Sequence, residues 1–413
     1  MKGSHYKWWA LVLLWVAFFL QQGTRQLLYP SIPSICTSFG VDRVTVGVVG
    51  TVFAMTYGLS VPFAGFVANL FSRKLVVAVC VAVFCGGIFL SGFASSVGFL
   101  IVTYGILNGF GQTFYYPSAT SLIAQLHTES RATAMSILQI GLYVGIVGCG
   151  GLAGWVAAQG TECWRWPFWI LGGIGLVWAG VLAVFLKNTK PEVTAQEGRP
   201  SVGEAMKAVF SKPVALCVIA GLALQTYVDI GFRNWMPSYL IDTFRHQNSS
   251  LVQWAGLHAV LWFYLGTLMG ILFGSRLGDR MVKRRPGIRF ELEALGMMCA
   301  TPFIVWMANA ETFVTCCVAM GLFGFFRGVY DSNFMASFFD VVTPRYHAFG
   351  VGVMMCIAFL FGSPSSTVLP WLQGFLGQST GIASLAAFYL LGALLFVIAR
   401  ILFLSVRKNG ALC

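Results

Sequence analysis

The chain has 413 residues, 57% of them hydrophobic and only 10% charged, with a mean hydropathy of +0.78. That balance excludes an ordinary soluble domain, in which about 25% of residues are charged. The formal charge of +12 needs no nucleic-acid partner, because basic residues held on one face of a membrane account for it.

A helix crossing a hydrocarbon core of about 30 Å needs about 20 residues. Taken in chain order, apolar stretches of that length fall near 9–33, 44–70, 75–95, 98–125, 131–158 and 165–186, then near 214–241, 251–275, 291–309, 313–341, 347–373 and 380–405. The fold class is therefore an all-α membrane protein with twelve transmembrane helices. The first stretch lacks a small-residue cleavage site and is expected to stay as an uncleaved span. Between the sixth and seventh spans lies the most polar long segment, Lys187 to Lys212, which carries Pro, Gly and charge and reads as a linker. This divides the chain into 1–186, a six-helix bundle; 187–212, a cytoplasmic linker; and 213–413, a second six-helix bundle.

Basic residues orient the chain. With the N-terminus inside, Lys2, Lys7, Arg73, Lys74, Arg131, the linker, the Arg276 to Arg289 loop, Arg345, Arg407 and Lys408 are cytoplasmic, while Arg43, Arg165 and Arg245 are outside. Both termini are then cytoplasmic. The eleven cysteines show no Cys-x-x-Cys spacing and read as packing residues. With no metal-ligand cluster, nucleophile elbow or phosphate loop, neither an enzyme nor a resident metal or cofactor is expected.

The two halves repeat one pattern. "GFVANLFSRK" after span two matches "SRLGDRMVKR" after span eight, with Asn69 and Asp279 210 residues apart; Arg25 and Arg233 are 208 apart, each followed by a proline; "GFGQTFYYPS" in span four matches "GFFRGVYDSN" in span ten, aligning Tyr115 with Tyr330 and Gln112 with Arg327 at 215. Similar offsets in three places indicate a duplicated six-helix unit.

Over its whole length the chain resembles the major facilitator superfamily. "GSRLGDRMVKRR" is similar to that superfamily's Gly-x-x-x-Asp-Arg-x-x-Arg-Arg loop, which implies gating roles for Asp279 and Arg280; the first-half copy departs, with Asn69 and Leu70 in place of Asp and Arg. "GLYVGIVGCGGLAGW" resembles its glycine-rich fifth helix, where small residues let helices approach closely. The resemblance also implies that spans one, four, seven and ten line a central cavity.

Those spans hold the ionisable groups expected at membrane depth: Arg25, Asp229, Arg233, Arg327 and Asp331, with Asp340 near a cytoplasmic end. Each is costly there unless it meets water, a partner or a ligand. Asp229 with Arg233, and Arg327 with Asp331, stand four residues apart and share a helix face, so each pair can be an intrahelical ion pair that only holds the wall together. Alternatively, three arginines against two aspartates leave one positive charge for a solute, and Arg25 has no acidic neighbour on its own helix. A free guanidinium suits a carboxylate or phosphate. Candidate solute-binding residues are Arg25, Asn108, Gln112, Tyr115, Arg233, Arg327, Tyr330 and Asn333. Asp229 and Asp331 are the candidate proton-coupling or charge-pair residues, with Arg131 and Asp340 as further gating residues; Asp340 is expected to pair with Arg131 or Arg345.

"RQLLYPSIP" (Arg25 to Pro33) and "NWMPSYL" (Asn234 to Leu240) resemble the first and seventh helices of the anion:cation symporter branch, which carries sugar acids, sialic acid and other organic anions. That resemblance implies an anion-binding role for Arg25 and proton-coupled symport of a carboxylated sugar by alternating access, with a proton gradient, or sodium in its place, as the driving force. Two positions depart from the branch: Thr24 stands where an acidic residue is usual, and Gln112 where a coupling Glu is usual. Organophosphate:phosphate antiporters share the same motifs but would need an arginine where Asp229 stands. A spinster-like lysolipid carrier and a transport-dead sensor are the remaining alternatives. The expected partners are a small anionic solute and the lipid bilayer, for a monomer in a bacterial inner membrane.

Overall fold

The computed structural model describes residues 3–127, 130–187, 202–247, 249–282 and 284–408. Among these residues there is no strand, and every long element is a helix. Eleven helices are long and apolar enough to cross a membrane, and the pair His5–Thr24 and Leu28–Phe39, bent by 43° at its junction, makes the twelfth span. Segment 188–201 of the expected linker lies outside the described residues; beyond it, Val202–Phe210 is a short helix.

Several spans are interrupted where proline dictates. Proline lacks an N–H, and its ring collides with the carbonyl four residues earlier. Pro30 thus strips Gln26 of its helical partner, and span one breaks at Arg25, Gln26 and Leu27. Pro117 does the same to Thr113, next to the break at Phe114 in span four, whose preceding segment Ile101–Asn108 is wound as a π-helix. In span eleven Pro364 separates His347–Gly362 from Ser365–Leu376, and the Ser363 hydroxyl donates to the freed Leu360 carbonyl at 3.0 Å. Span ten breaks without proline, between Phe313–Asp331 and Phe334–Val341. Irregular backbone at membrane depth is tolerated only where protein or water satisfies it.

The chain forms two compact units. The first contains spans one to six together with Met236–Val260, and the second contains the rest of the C-terminal half with Glu197–Trp235. The division therefore departs from a cut at the linker: the segment Met236–Val260, from spans seven and eight, belongs to the first unit. It is anchored there by an ion pair from Arg43 to Asp242, whose second contact is 3.0 Å. Within the first unit span one packs on span five and span three on span six; the buried apolar side chains Leu14, Phe18, Val77, Phe84 and Leu122 fill the space around these contacts. Gly256 approaches Gly150 and Gly154 of the glycine-rich fifth span, and a methyl on Gly256 would fall on the Gly150 carbonyl.

In the second unit span nine packs on spans ten and twelve. Spans eight and ten meet backbone to backbone: a methyl on Gly270 would fall on the Phe325 carbonyl, and one on Gly328 on the Thr267 carbonyl. Small residues at such crossings are what permit van der Waals contact between helices in lipid. Replacing Gly270 by Ala is expected to destabilise the protein by about 1–3 kcal/mol, the usual cost of overpacking. Gly180→Ala, at a position with open space around it, is expected to be neutral. Thermal unfolding in detergent, followed by size-exclusion chromatography, measures the difference.

Candidate functional site

The polar groups at membrane depth form one cluster in each unit. In the first, the break in span one places Arg25 where helical bonding is interrupted, and Gln26 and Leu27 bond back only to Gly23 and Thr24. The Tyr104 hydroxyl donates to the Arg25 carbonyl at 2.8 Å, which fixes the break against span four. The guanidinium is oriented by Gln112: Arg25 Nε donates to Gln112 Oε1 at 2.5 Å. Gln112 in turn donates to Asn108 Oδ1 at 2.7 Å, and its backbone carbonyl accepts from Gln21 Nε2 at 2.6 Å. Two rings of span two complete the cradle, with Tyr57 4.4 Å and Phe53 5.3 Å from the guanidinium carbon.

This arrangement holds the cation without neutralising it. Its hydrogen-bond partner is an amide and its flat faces meet aromatic rings, while among the described residues it pairs with no carboxylate. Arg25 Nη2 and Asn108 Nδ2 are buried donors without hydrogen-bond partners among the described residues. Buried polar groups are ordinarily bonded, so two orphaned donors beside an uncompensated charge form a place prepared for an acceptor.

The second unit holds its charges differently. Arg233 pairs with Asp229 at 2.9 Å and Arg327 with Asp331 at 2.5 Å, each one turn apart, and Arg327 Nε also stands 3.0 Å from Asp229 Oδ1 across two spans. That cross-span contact is an ion pair by distance but is off hydrogen-bond angle, leaving Arg327 Nε and Asp229 Oδ1 without directed partners. The Tyr264 hydroxyl bonds with Arg233, and Phe263 lies 5.2 Å from the Arg327 guanidinium carbon. Two guanidiniums and two carboxylates make this quartet formally neutral.

Other expected site residues fall elsewhere. Tyr115 is fully buried in the apolar core, and its hydroxyl donates to the Leu14 carbonyl at 2.5 Å. It is a packing residue, which corrects the expectation that it lines a binding surface. Its neighbour Tyr116 is 41% exposed and leans on Phe18. Tyr330 is likewise enclosed, stacked on Phe334 and edge-on to Phe396, and Asn333 is buried, bonding to the Val329 carbonyl and Ser332 within its own span. Neither is open to a solute here. Asp340 pairs with Arg289 of span nine at 2.7 Å, and not with Arg131 or Arg345 as expected, because the break in span ten turns Phe334–Val341 toward span nine. Arg131, Asp279 and Arg280 are exposed and join no ion pair among the described residues. Tyr57 and Phe53 were not foreseen: span two carries no ionisable group at membrane depth, and two rings among so many aromatics give no signal of their own.

Residues 14–366 match the Major Facilitator Superfamily. The chain is 25% identical over 306 residues to protein spinster homolog 1 of Xenopus laevis, covering 68% of this chain and 56% of that protein. It thus spans about half the length of the spinster relatives it matches. It is 24% identical over 399 residues to the hexuronate transporter of Bacillus subtilis strain 168, covering 93% of this chain and 91% of that one. Among solved structures, a bacterial homolog of the human lysosomal transporter Spinster, inward-facing and unoccupied, superposes with a TM-score of 0.82 at 19% identity, covering 97% of this chain and 98% of that one. With twelve membrane spans and a match across most of its length, the chain belongs to the Major Facilitator Superfamily.

Proposed function

We propose that this protein is a secondary active carrier of an organic monoanion, with a carboxylated sugar of the hexuronate or sialic acid type as the leading solute. The observation that carries this reading is Arg25, held by the neutral Gln112 and left with a buried, unpartnered Nη2. A carboxylate placed there would accept from Arg25 Nη2 and Asn108 Nδ2, and charge-assisted bonds of this kind are among the strong ones. One uncompensated cation matches one negative charge. A phosphate dianion fits less well, since the antiporter resemblance calls for an arginine at the position of Asp229. The hexuronate transporter, which covers nearly the whole chain, supports a sugar acid; a lysolipid, the solute implied by the spinster-like resemblance, is the second reading.

Proton coupling is assigned to the second unit's quartet. Asp331 carries one arginine and Asp229 carries two, so a proton on Asp331 disrupts the fewest contacts. It would also turn a neutral quartet into one with a net positive charge. On this reading both termini are cytoplasmic, which the basic loops support, and the membrane is a bacterial inner membrane, which the bacterial relatives support.

A thermal-shift screen of sugar acids, sugar phosphates and lysophospholipids, followed by counterflow in proteoliposomes, tests the reading. Stabilisation by a sugar acid together with counterflow supports it. Binding without counterflow would mark a sensor, and stabilisation by lysophospholipid alone would favour the second reading. Arg25→Ala is expected to weaken anion binding at least about 30-fold, about 2 kcal/mol for a bond to a charged group, and Arg25→Lys less. Gln112→Glu, which would cancel the Arg25 charge, is expected to lower affinity by a similar factor at neutral pH; unchanged affinity removes the charge from the account. Asp331→Asn is expected to abolish acid-driven accumulation while leaving exchange, as measured by parallel uptake and counterflow assays.

A further inference from the structure

Span nine holds an acidic residue that the quartet does not involve. Glu293 is fully buried, five residues into Ile288–Ala308. Its Oε1 lies 2.6 Å from Ser337 Oγ, on the short segment Phe334–Val341 of span ten, and its Oε2 has no hydrogen-bond partner among the described residues. The same Ser337 Oγ lies 2.9 Å from the Phe334 carbonyl.

A hydroxyl has one proton to donate. If Glu293 were ionised, Ser337 would face two acceptors and could satisfy one of them, and a charged oxygen would remain buried and bare. If Glu293 is neutral, its carboxyl donates to Ser337 Oγ, and Ser337 donates to the Phe334 carbonyl. Both short contacts are then hydrogen bonds, and the remaining Oε2 is an uncharged carbonyl oxygen, far cheaper to bury unbonded than a charge.

The surroundings agree with this assignment. The charged groups closest to Glu293 are Asp340 of the same short segment and Arg289, one turn earlier on span nine. These two are bonded to each other at 2.7 Å, so Arg289 is engaged elsewhere. From Phe313–Asp331 the nearest titratable group is Tyr330, whose buried hydroxyl also lacks a partner among the described residues. On span twelve, Arg400 is taken by Glu291 at 2.7 Å. No cation in this set is free to hold Glu293 as an anion.

We infer that Glu293 is a proton-binding site, occupied while Phe334–Val341 is docked on span nine and emptied when that segment swings away at the Ser332–Asn333 break. Two rungs then join the segment to span nine. Arg289 with Asp340 is the partly exposed rung, and Glu293 with Ser337 is the buried one, whose two short contacts are both satisfied only when Glu293 is protonated. The break follows directly on Asp331, so movement of the segment would be felt at the quartet. That role in the cycle rests on the carrier reading above; the protonation site itself does not.

Infrared spectroscopy and hydrogen–deuterium exchange of the purified, full-length protein test the inference without any solute. Wild type is expected to show a protonated-carboxyl carbonyl band at neutral pH that is absent in Glu293→Gln and shifted in Ser337→Ala. As pH rises, and after correction for intrinsic exchange, residues 334–341 of wild type are expected to open at least about tenfold more often, because an unpaired buried charge strongly disfavours the docked state. Glu293→Gln, which keeps a donor for Ser337 and cannot ionise, should show no such rise. A wild-type band unaltered by Glu293→Gln, or the same pH-dependent opening in both proteins, would overturn the assignment. Absence of anion counterflow in wild type would defeat the carrier reading alone and leave these two readouts to decide Glu293.

Discussion

The feature on which the functional account depends is the bond from Arg25 to a neutral amide. At membrane depth a guanidinium must be solvated by something. A carboxylate in the place of Gln112 would have solved the problem by cancelling the charge. Gln112 orients the side chain through Nε, and Tyr57 and Phe53 cover it, yet the positive charge persists. The second unit shows the contrasting solution. There Arg233 and Arg327 are each matched by a carboxylate, and the assembly is formally neutral. One unit thus keeps an uncompensated charge, and the other pairs its charges.

Backbone breaks are what bring these groups to their places. Arg25 sits in an interruption that Pro30 enforces, and its own carbonyl is secured by Tyr104. Gln112 and Asn108 lie where span four passes from π-helical winding into a proline-adjacent break. Around these irregular stretches, glycine crossings such as those at Gly150 with Gly256 and Gly270 with Phe325 let helices approach without side chains between them. Regular helices supply the membrane-spanning frame, and the irregular positions carry the polar groups.

Much of this was legible in the sequence. Apolar run lengths gave the spans, because the bilayer imposes its thickness on any helix that crosses it. The four-residue spacing of Asp229 with Arg233 and Arg327 with Asp331 was enough to anticipate both intrahelical pairs. What was not legible depends on distance in space. The ion pair from Arg327 to Asp229 joins spans seven and ten, and the rings around Arg25 come from span two, which no local spacing reveals. Tyr115 and Tyr330 aligned in the repeat, but the repeat records descent from one unit and not which residues face a solute; both pack in cores. Glu293 escaped notice because the start of span nine, read near residue 291, put it at the headgroup level, whereas the helix begins at Ile288 and buries it completely. Asp340 was matched to the wrong arginine for a related reason: the break after Asp331 cannot be seen in a span that lacks proline.

The carrier proposed above seats its anion on the uncompensated charge of Arg25. In a structure determined with a bound hexuronate, the carboxylate is expected within hydrogen-bond distance of Arg25 Nη2 and Asn108 Nδ2, with Gln112 still on Nε. A hexuronate bound with its carboxylate on other residues, and Arg25 unchanged beside it, would overturn that assignment.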